Sequence, residues 1–204
     1  MYIDFSKLAA RDAYQWMSRT ITPRPIAWVS TVAADGRTNL APFSFFQGVT
    51  ANPPTLMFVP VNNREGGKKD TVVNIEAVPE FVVNLVSHGL CEAMNHTAAG
   101  LPRGDSEFER FGIASAPSTR VRPPRVAAAP VAFECTLRQI VHIGEGALAA
   151  NVIFGTIQAV HVRDDVLGAN GMPDASRLDL VGRLGGEDFV TTRDVFSLAR
   201  PDHA

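Results

Sequence analysis

A mainly β protein, folded as an antiparallel barrel, is the fold class that the sequence predicts. Six or more short segments have the apolar or alternating pattern that is typical of strands. Hairpin signals such as Asp35-Gly36 and short helical stretches lie between them. No strand–helix–strand rhythm repeats, as a doubly wound parallel sheet would require. The 204 residues are expected to form a single domain, 1–204, with a C-terminal tail at 190–204.

The first predicted elements are a helix and a hairpin. Residues 1–20 have helix-forming composition, with Ser6 as a candidate cap. The alternating segment Ile26–Val32 predicts a half-buried strand, and an Asp-Gly turn joins it to a return strand from Thr38 to Phe46. Because proline donates no ladder hydrogen bond, Pro42 implies an edge, a bulge or a strand end.

The middle of the chain alternates strands with a loop and a short helix. Thr55–Val59 is almost wholly apolar and predicts a strand in the middle of a sheet. Asn62–Lys69 is polar and glycine-rich, which indicates a loop. Asp70 can then cap a helix over Thr71–Val78, and Glu80–Val86 returns to strand.

Two longer strands are predicted in the second half. Ser106–Glu109 has the capping-box pattern and predicts a brief helix before them. Val131–Arg138 alternates cleanly, which places its apolar residues inward and Glu134 outward. Ala149–Val162 predicts a long strand in which Gly155 marks a bulge or bend.

Composition argues against several classes of function. The net charge is −2 and no long basic run occurs, so the electrostatic footprint of a nucleic-acid-binding protein is missing. No segment approaches the ~18 apolar residues of a membrane span, and no signal-peptide pattern is visible. Cys91 and Cys135 are isolated and the histidines lack metal-ligand spacing. We therefore expect a cytoplasmic protein with no metal, membrane or nucleic-acid contact.

One loop carries groups that suit an anion. Arg64, Lys68, Lys69 and Thr71 lie within eight positions, beside the N-terminus of the predicted helix. Fixed positive charges and free helix amides favour a phosphate. A solvated charged loop is the alternative that these residues alone leave open.

The segment Asn39–Phe45, NLAPFSF, brings together polar and aromatic groups. Pro42 releases backbone groups from pairing, and Asn39 and Ser44 add side-chain partners beside flat rings. This set suits a planar, phosphate-bearing ligand; an edge strand with a packed Phe cluster is the alternative. The chain contains no GxGxxG opening a helix, so a nucleotide is not expected to bind in the Rossmann manner.

Five segments occur in an order and spacing that resemble a known family. They are RPIAWVSTVAADGRTNLAPFSFF, NPP, KKDTVVNI, EFVVN and VGRLGGEDF, and the match runs from about Thr22 to Phe189. The chain resembles the flavin-reductase-like family of FMN-binding split barrels. The resemblance implies a six-stranded split β-barrel of Greek-key topology with short peripheral helices, FMN rather than FAD as cofactor, and NAD(P)H as co-substrate.

The resemblance also implies which residues bind the cofactor. The flavin phosphate is expected at Lys69 and Thr71, with Arg64 as a further candidate. The isoalloxazine is expected along the hairpin, at Ser30, Thr31, Asn39, Ala41, Pro42, Phe43 and Ser44. Arg183 is expected to orient the cofactor or a dinucleotide substrate, with a surface salt bridge as the alternative. Phe189 stands where relatives usually have Tyr, so no hydroxyl role is assigned there.

The leading hypothesis is an NAD(P)H:flavin oxidoreductase that transfers hydride from NAD(P)H to FMN. The cofactor carries this chemistry, so no acid–base constellation is required and no catalytic residue is assigned. The alternatives are an FMN-dependent oxidoreductase acting on another small substrate, and a non-catalytic FMN-binding or electron-transfer protein. A homodimer is expected, with Arg183–Phe189 contributed across the interface. A flavin-dependent monooxygenase that receives reduced flavin is a further expected partner.

Overall fold

The computed structural model of the protein describes residues 1–199 and 201. Its strands are β1 (Arg24–Pro25), β2 (Ala27–Val32), β3 (Thr38–Phe43), β4 (Phe46–Ala51), β5 (Pro54–Phe58), β6 (Glu80–Asn84), β7 (Ser115–Ala116), β8 (Arg125–Val126), β9 (Val131–Ile143), β10 (Ala150–Val162), β11 (Val181–Arg183) and β12 (Phe189–Thr191). Its α-helices are α1 (Ala10–Thr20), α2 (Asp70–Ala77), α3 (Cys91–His96), α4 (Glu107–Arg110) and α5 (Ala175–Leu178). The expected C-terminal tail at 190–204 extends past the described part, because residues 200 and 202–204 lie outside it.

Antiparallel strands form the main sheet, in the order β3-β2-β6-β9-β10-β5-β4. The mainly β, antiparallel class is therefore confirmed, but the main sheet has seven strands where six were expected. The predicted return strand Thr38–Phe46 is two strands, because β3 ends at Phe43 and β4 starts at Phe46 to pair with β5. Two smaller sheets, β1-β11-β12 and β7-β8, complete the described β structure.

The two edges of the main sheet are neighbours in the chain. β3 stands at one end of the strand order and β4 at the other, yet only Ser44 and Phe45 separate them. The sheet must therefore curl until its edges meet. In the described residues no ladder of hydrogen bonds joins β3 to β4, so a two-residue bend closes the barrel instead. We call this junction, residues 38–51, the seam.

Apolar side chains fill the barrel. The buried cluster consists of Ala27, Val29, Leu56, Phe58, Val72, Ile75, Phe81, Val83, Cys135 and Ile153. Two of these residues, Val72 and Ile75, come from α2. Their burial fixes α2 against the barrel, and this holds the N-terminus of the helix in place.

A bulge at Gly155 lets β10 pass over the core. The register between β9 and β10 shifts between Phe154 and Gly155, as the sequence predicts. A methyl group on Gly155 would overlap the Phe81 ring and lie 3.2 Å from Cys135 Cβ. The absence of a side chain is therefore required for packing at this point.

Glu134 lies on the face of β9 opposite the barrel-core residues Phe133 and Cys135, as the alternation predicts, but it is fully buried there rather than exposed to solvent. Its carboxylate accepts hydrogen bonds from the backbone N–H groups of Thr119 at 2.8 Å and Arg120 at 2.5 Å, and it also contacts the His161 ring. Burial raises the pKa of Glu134, but these donors outweigh it, so the pKa of this carboxyl lies below its ordinary value. Glu134 thus connects the segment at residues 119–120 to the sheet. This long-range contact cannot be predicted from the alternation within one strand.

Helix starts differ from the sequence expectations in their caps. Ser6 belongs to a separate 3₁₀ turn, Phe5–Lys7, which Asp4 caps. Asp70 does not cap α2 but is its first residue, and Lys69 precedes it without a capping side-chain hydrogen bond. Ser106 does precede α4, but its hydroxyl lies 2.6 Å from the hydroxyl of Thr38. Within the described residues, no helix combines the length and apolar character needed to cross a membrane.

Candidate functional site

The candidate site is a cleft of about 500 Å³ beside the seam. One wall is β3, a second is the loop that enters α2, and a third is the segment from Thr97 to Glu107. The lining residues include Asn39, Ala41, Pro42, Phe43, Lys68, Lys69, Asp70, Thr71, Arg103 and Glu107. Six of the sequence-predicted residues therefore meet here: Asn39, Ala41, Pro42, Phe43, Lys69 and Thr71.

The outer edge of β3 presents backbone groups to the cleft. β2 and β3 form the predicted hairpin, and Pro42 lies in register opposite Trp28 without interrupting the pairing. The Leu40 N–H points away from β2, since it donates to Glu107 Oε2 at 2.8 Å. Because the backbone groups of antiparallel strands alternate in direction, Pro42 also faces outward. The outer edge therefore offers the Leu40 and Pro42 carbonyls as acceptors, and Pro42 adds no donor.

The N-terminus of α2 opens onto the same cleft. The first intrahelical donors are the N–H groups of Val72 and Val73, which both donate to the Lys69 carbonyl. The N–H groups of Asp70 and Thr71 thus have no acceptor within the helix, and no side chain caps this end. Two free amides at a helix N-terminus attract an anion.

A buried hydrogen bond orients the Thr71 hydroxyl. Asn39 Nδ2 donates to Thr71 Oγ1 at 3.0 Å, and both side chains are buried. The hydroxyl accepts in this bond, so its own proton remains free for another acceptor. Asn39 thereby links the edge strand to the anion-binding end of the cleft.

The two adjacent lysines have different roles. Lys68 Nζ lies 2.5 Å from Glu76 Oε1, so its charge is already paired. Lys69 forms no ion pair among the described residues, and it lines both the cleft and a smaller cavity of about 210 Å³ at the bend of the seam. The unpaired charge that can meet an anion is therefore that of Lys69.

Arg24, which the sequence reasoning missed, holds the bend of the seam. Its buried guanidinium donates to Ser44 Oγ at 3.3 Å and to the carbonyls of Ser18 and Leu184 at 2.5 and 2.9 Å. It also lies 5.7 Å from the centre of the Phe45 ring. Burial lowers the pKa of Arg24. The sequence did contain a signal for this structural role, because Arg24 stands between two prolines just before a buried strand.

Glu107 is a second residue that the sequence did not reveal. It is only 6% exposed, lines the cleft and binds the Leu40 N–H. Burial raises the pKa of this carboxyl, and the nearby charge of Asp70 raises it further. The capping-box pattern located α4 but gave no reason to expect Glu107 at the edge of a strand 67 positions away.

The remaining predicted residues lie outside the cleft. Ser30 and Thr31 are fully buried: Ser30 Oγ donates to the Pro124 carbonyl, and Thr31 Oγ1 accepts from Asn74 Nδ2. Ser44 lines the smaller cavity at the bend. Arg64 lines a separate apolar groove of about 850 Å³ beside α1.

Arg183 also lies away from the cleft, on β11. Its guanidinium lies 4.4 Å from the centre of the Phe189 ring, and Nη2 donates to the Gly186 carbonyl at 2.6 Å. It forms no salt bridge within the described residues. The glycine pair Gly185-Gly186 follows in a tight turn, with Gly186 at a φ of +66°.

Comparison with known proteins identifies the family. Residues 17–177 match the family described as flavin reductase like domain, and the chain belongs to this family. A relative from Deinococcus radiodurans, an uncharacterized protein, is 41% identical over all of this chain and 91% of its own length.

Three solved structures are similar over nearly the whole chain. Nitrilotriacetate monooxygenase component B from Bacillus cereus is 31% identical with a TM-score of 0.91, covering 97% of this chain and 98% of its own. The 2-nitrobenzoate 2-nitroreductase NbaA from Pseudomonas fluorescens is 30% identical with a TM-score of 0.88, covering 100% and 98%. A split barrel domain protein from Shewanella frigidimarina is 22% identical with a TM-score of 0.82 and full coverage of both chains. The fold is accordingly similar to that of split-barrel flavin reductases.

Proposed function

We propose that this protein is an FMN-dependent oxidoreductase that transfers hydride from NAD(P)H to flavin. One observation carries the proposal: a single cleft joins the outer edge of β3 to the uncapped N-terminus of α2. A flavin mononucleotide has a planar ring with polar edges at one end and a phosphate dianion at the other. The two ends of the cleft match these two chemistries.

The residues of the cleft fit this cofactor. The amides of Asp70 and Thr71, the free Thr71 hydroxyl proton and the unpaired Lys69 charge would hold the phosphate. The outward carbonyls of β3 would accept from the N–H of the ring, and Phe43 offers an apolar surface beside it. When bound, FMN would supply the redox chemistry by accepting hydride from the nicotinamide. The protein would position the ring and limit its contact with water.

FMN is preferred to FAD in this proposal because the cleft ends in a compact anion site. A flavin-dependent monooxygenase is the proposed recipient of reduced flavin, since a structure 31% identical to this chain is a monooxygenase component. A cytoplasmic location, where the free thiols of Cys91 and Cys135 stay reduced, belongs to the same proposal.

A second candidate function is reduction of a small organic substrate by the same bound flavin. The similarity to a nitrobenzoate nitroreductase, at 30% identity over the whole chain, favours it. Both functions need the same cofactor site. They differ in whether an organic acceptor is reduced in the cleft or reduced flavin leaves it.

We also propose a homodimer. The helix α1 exposes apolar side chains, with Tyr14 at 54% and Met17 at 40%, beside the groove of about 850 Å³. The edge strand β4 is exposed along most of its length. A second copy would cover these surfaces, and the Arg183–Phe189 segment is the proposed contribution to the partner's site.

The cofactor proposal is tested by the flavin that copurifies. Purified protein is expected to show flavin absorbance, and acid release is expected to yield FMN rather than FAD. Oxidation of NADH and NADPH, measured with and without added FMN and with nitroaromatic acceptors, then separates the two candidate functions. A colourless protein that fails to bind added FMN in a fluorescence titration contradicts both.

Subunit mixing tests the dimer. If Lys69 and Arg183 act in one site from different chains, mixing a Lys69→Glu subunit with an Arg183→Ala subunit restores part of the activity, because one of the two sites regains both groups. Light scattering that finds a monomer with tightly bound FMN contradicts the dimer and leaves the cofactor proposal standing.

A further inference from the structure

A second cavity adjoins the anion-binding end of the cleft. It measures about 280 Å³ and lies between the β2–β3 turn, α2 and the 103–105 loop. It shares three lining residues with the cleft, namely Asn39, Asp70 and Arg103. Asp70 and Arg103 therefore stand on the boundary between the two spaces.

The ion pair on this boundary is loose. Arg103 Nε lies 3.9 Å from Asp70 Oδ1, and the Arg103 side chain is 72% exposed. Pairs of this kind contribute little stability. No other carboxylate lies within 4.0 Å of Arg103 in the described part of the chain. The guanidinium can therefore exchange Asp70 for a stronger anion at small cost.

The backbone that carries Arg103 is nevertheless well positioned. At one end of the segment, Thr97 accepts a hydrogen bond from Trp28 Nε1 at 2.9 Å in the buried core. At the other end, Gly104 has a φ of +93°, and the Arg37 guanidinium packs where a side chain would stand. The segment is thus fixed at Thr97 and closely packed at Gly104, while the Arg103 side chain between them is exposed and only loosely paired.

Charges in the second cavity disfavour further phosphate groups. Three carboxylates line it, from Asp35, Asp70 and Asp105, together with two arginines. One arginine, Arg37, already pairs with Asp35 at 2.8 Å. A ligand that carries a second phosphate into this cavity would meet more unpaired negative than positive charge.

We propose that Arg103 binds the terminal phosphate of the flavin and that the Arg103–Asp70 boundary selects FMN over FAD. This inference rests on the proposed function. A phosphate dianion at the N-terminus of α2 offers Arg103 a bidentate partner of higher charge than Asp70. A flavin extended beyond its phosphate must displace the pair and approach the carboxylates of the second cavity. The boundary thus recognises a ligand that ends at the phosphate.

Fluorescence titrations with FMN, riboflavin and FAD test the assignment. Arg103→Ala is expected to raise the Kd for FMN by about fivefold or more and to leave the Kd for riboflavin, which lacks the phosphate, unchanged. Arg110→Ala removes the same charge from an exposed position outside the cleft, and it is expected to leave all three constants unchanged. Asp70→Ala is expected to bring the Kd for FAD closer to that for FMN. Thermal melts of each variant control for folding.

The outcomes separate this inference from the function on which it rests. Equal effects of Arg103→Ala on FMN and riboflavin, or an effect matched by Arg110→Ala, overturn the role of Arg103 while the flavin site stands. An unchanged ratio of FAD to FMN binding in Asp70→Ala overturns the selection at the boundary. A wild-type protein that binds none of the three flavins removes the proposed flavin site and this inference together.

Discussion

Reversing the charge of Lys69 is the sharpest test of the anion site. In water, two unit charges about 4 Å apart interact by roughly 1 kcal/mol, so removing one cation from a phosphate dianion costs about 2 kcal/mol. The side chain of Lys69 is exposed, so this solvent-screened value is the appropriate one. Lys69→Glu also adds a repulsive charge. We therefore expect the Kd for FMN to rise at least about tenfold, or roughly 1.4 kcal/mol.

The adjacent lysine supplies a matched control. Lys68→Glu makes the same charge change one position away, but Lys68 is already paired with Glu76 at 2.5 Å. We expect a much smaller effect there, and little effect of either substitution on riboflavin. The assay is quenching of flavin fluorescence at several salt concentrations, because the Lys69 contribution should weaken as salt increases. Equal, small effects at both positions would refute the reasoning and leave the loop as a charged surface.

Three further predictions concern the barrel and its buried carboxylates. Gly155→Ala overpacks the core and is expected to destabilise the protein by about 1–3 kcal/mol in denaturant unfolding, whereas Gly48→Ala, in open space on β4, should not cause an overpacking loss. Glu134→Gln is expected to cost about 1–3 kcal/mol at neutral pH. The pKa of Glu134 is lowered in the folded state, so its contribution to folding stability is present above the ordinary glutamate pKa and is lost as pH falls through the folded pKa. The melting temperature of the Gln variant should therefore change less than that of the wild type as the pH is lowered. The pKa of Glu107 is raised, so its contribution is present at low pH and lost as pH rises through the folded value. Glu107→Gln should therefore gain thermal stability relative to wild type at higher pH; an unchanged pH dependence would contradict the burial argument.

Local patterns were sufficient to predict most of the fold. The Asp-Gly turn, the bulge at Gly155 and the edge position of Pro42 each follow from the conformational limits of a single residue, and all three are present. The strand count was harder to predict. Thr38–Phe46 contains no glycine or Asp-Gly turn signal, and Pro42, which could have marked a strand end, pairs in register within β3, so nothing local located the bend at Ser44.

The site was predictable where its groups are close in sequence. Lys69 and Thr71 adjoin the N-terminus of α2, and residues 39–43 belong to the single strand β3. One tertiary contact, between α2 and β3, is therefore enough to bring both groups into one cleft. Glu107 and Arg24 act through long-range burial, which no spacing encodes. Ser30 and Thr31 were predicted to contact the ligand but are buried on a central strand. Small polar residues on a central strand serve buried hydrogen bonds as readily as they serve a ligand.

The seam determines where the barrel can open locally. Opening the barrel elsewhere requires breaking a ladder of hydrogen bonds, but separating the β3 and β4 edges requires only bending at Ser44 and Phe45 and loss of local contacts such as the Arg24–Ser44 hydrogen bond. The outward amides of the exposed edge strand β4 should therefore exchange with solvent faster than those of β2, β6 or β9, whereas on β3 Pro42 has no amide proton and Glu107 holds the Leu40 N–H. A molecule bound in the adjoining cleft would hold the β3 edge against α2 and the 97–107 segment, since these three elements line the cleft. Its departure would remove these contacts from the β3 edge and leave the ladders of the main sheet intact.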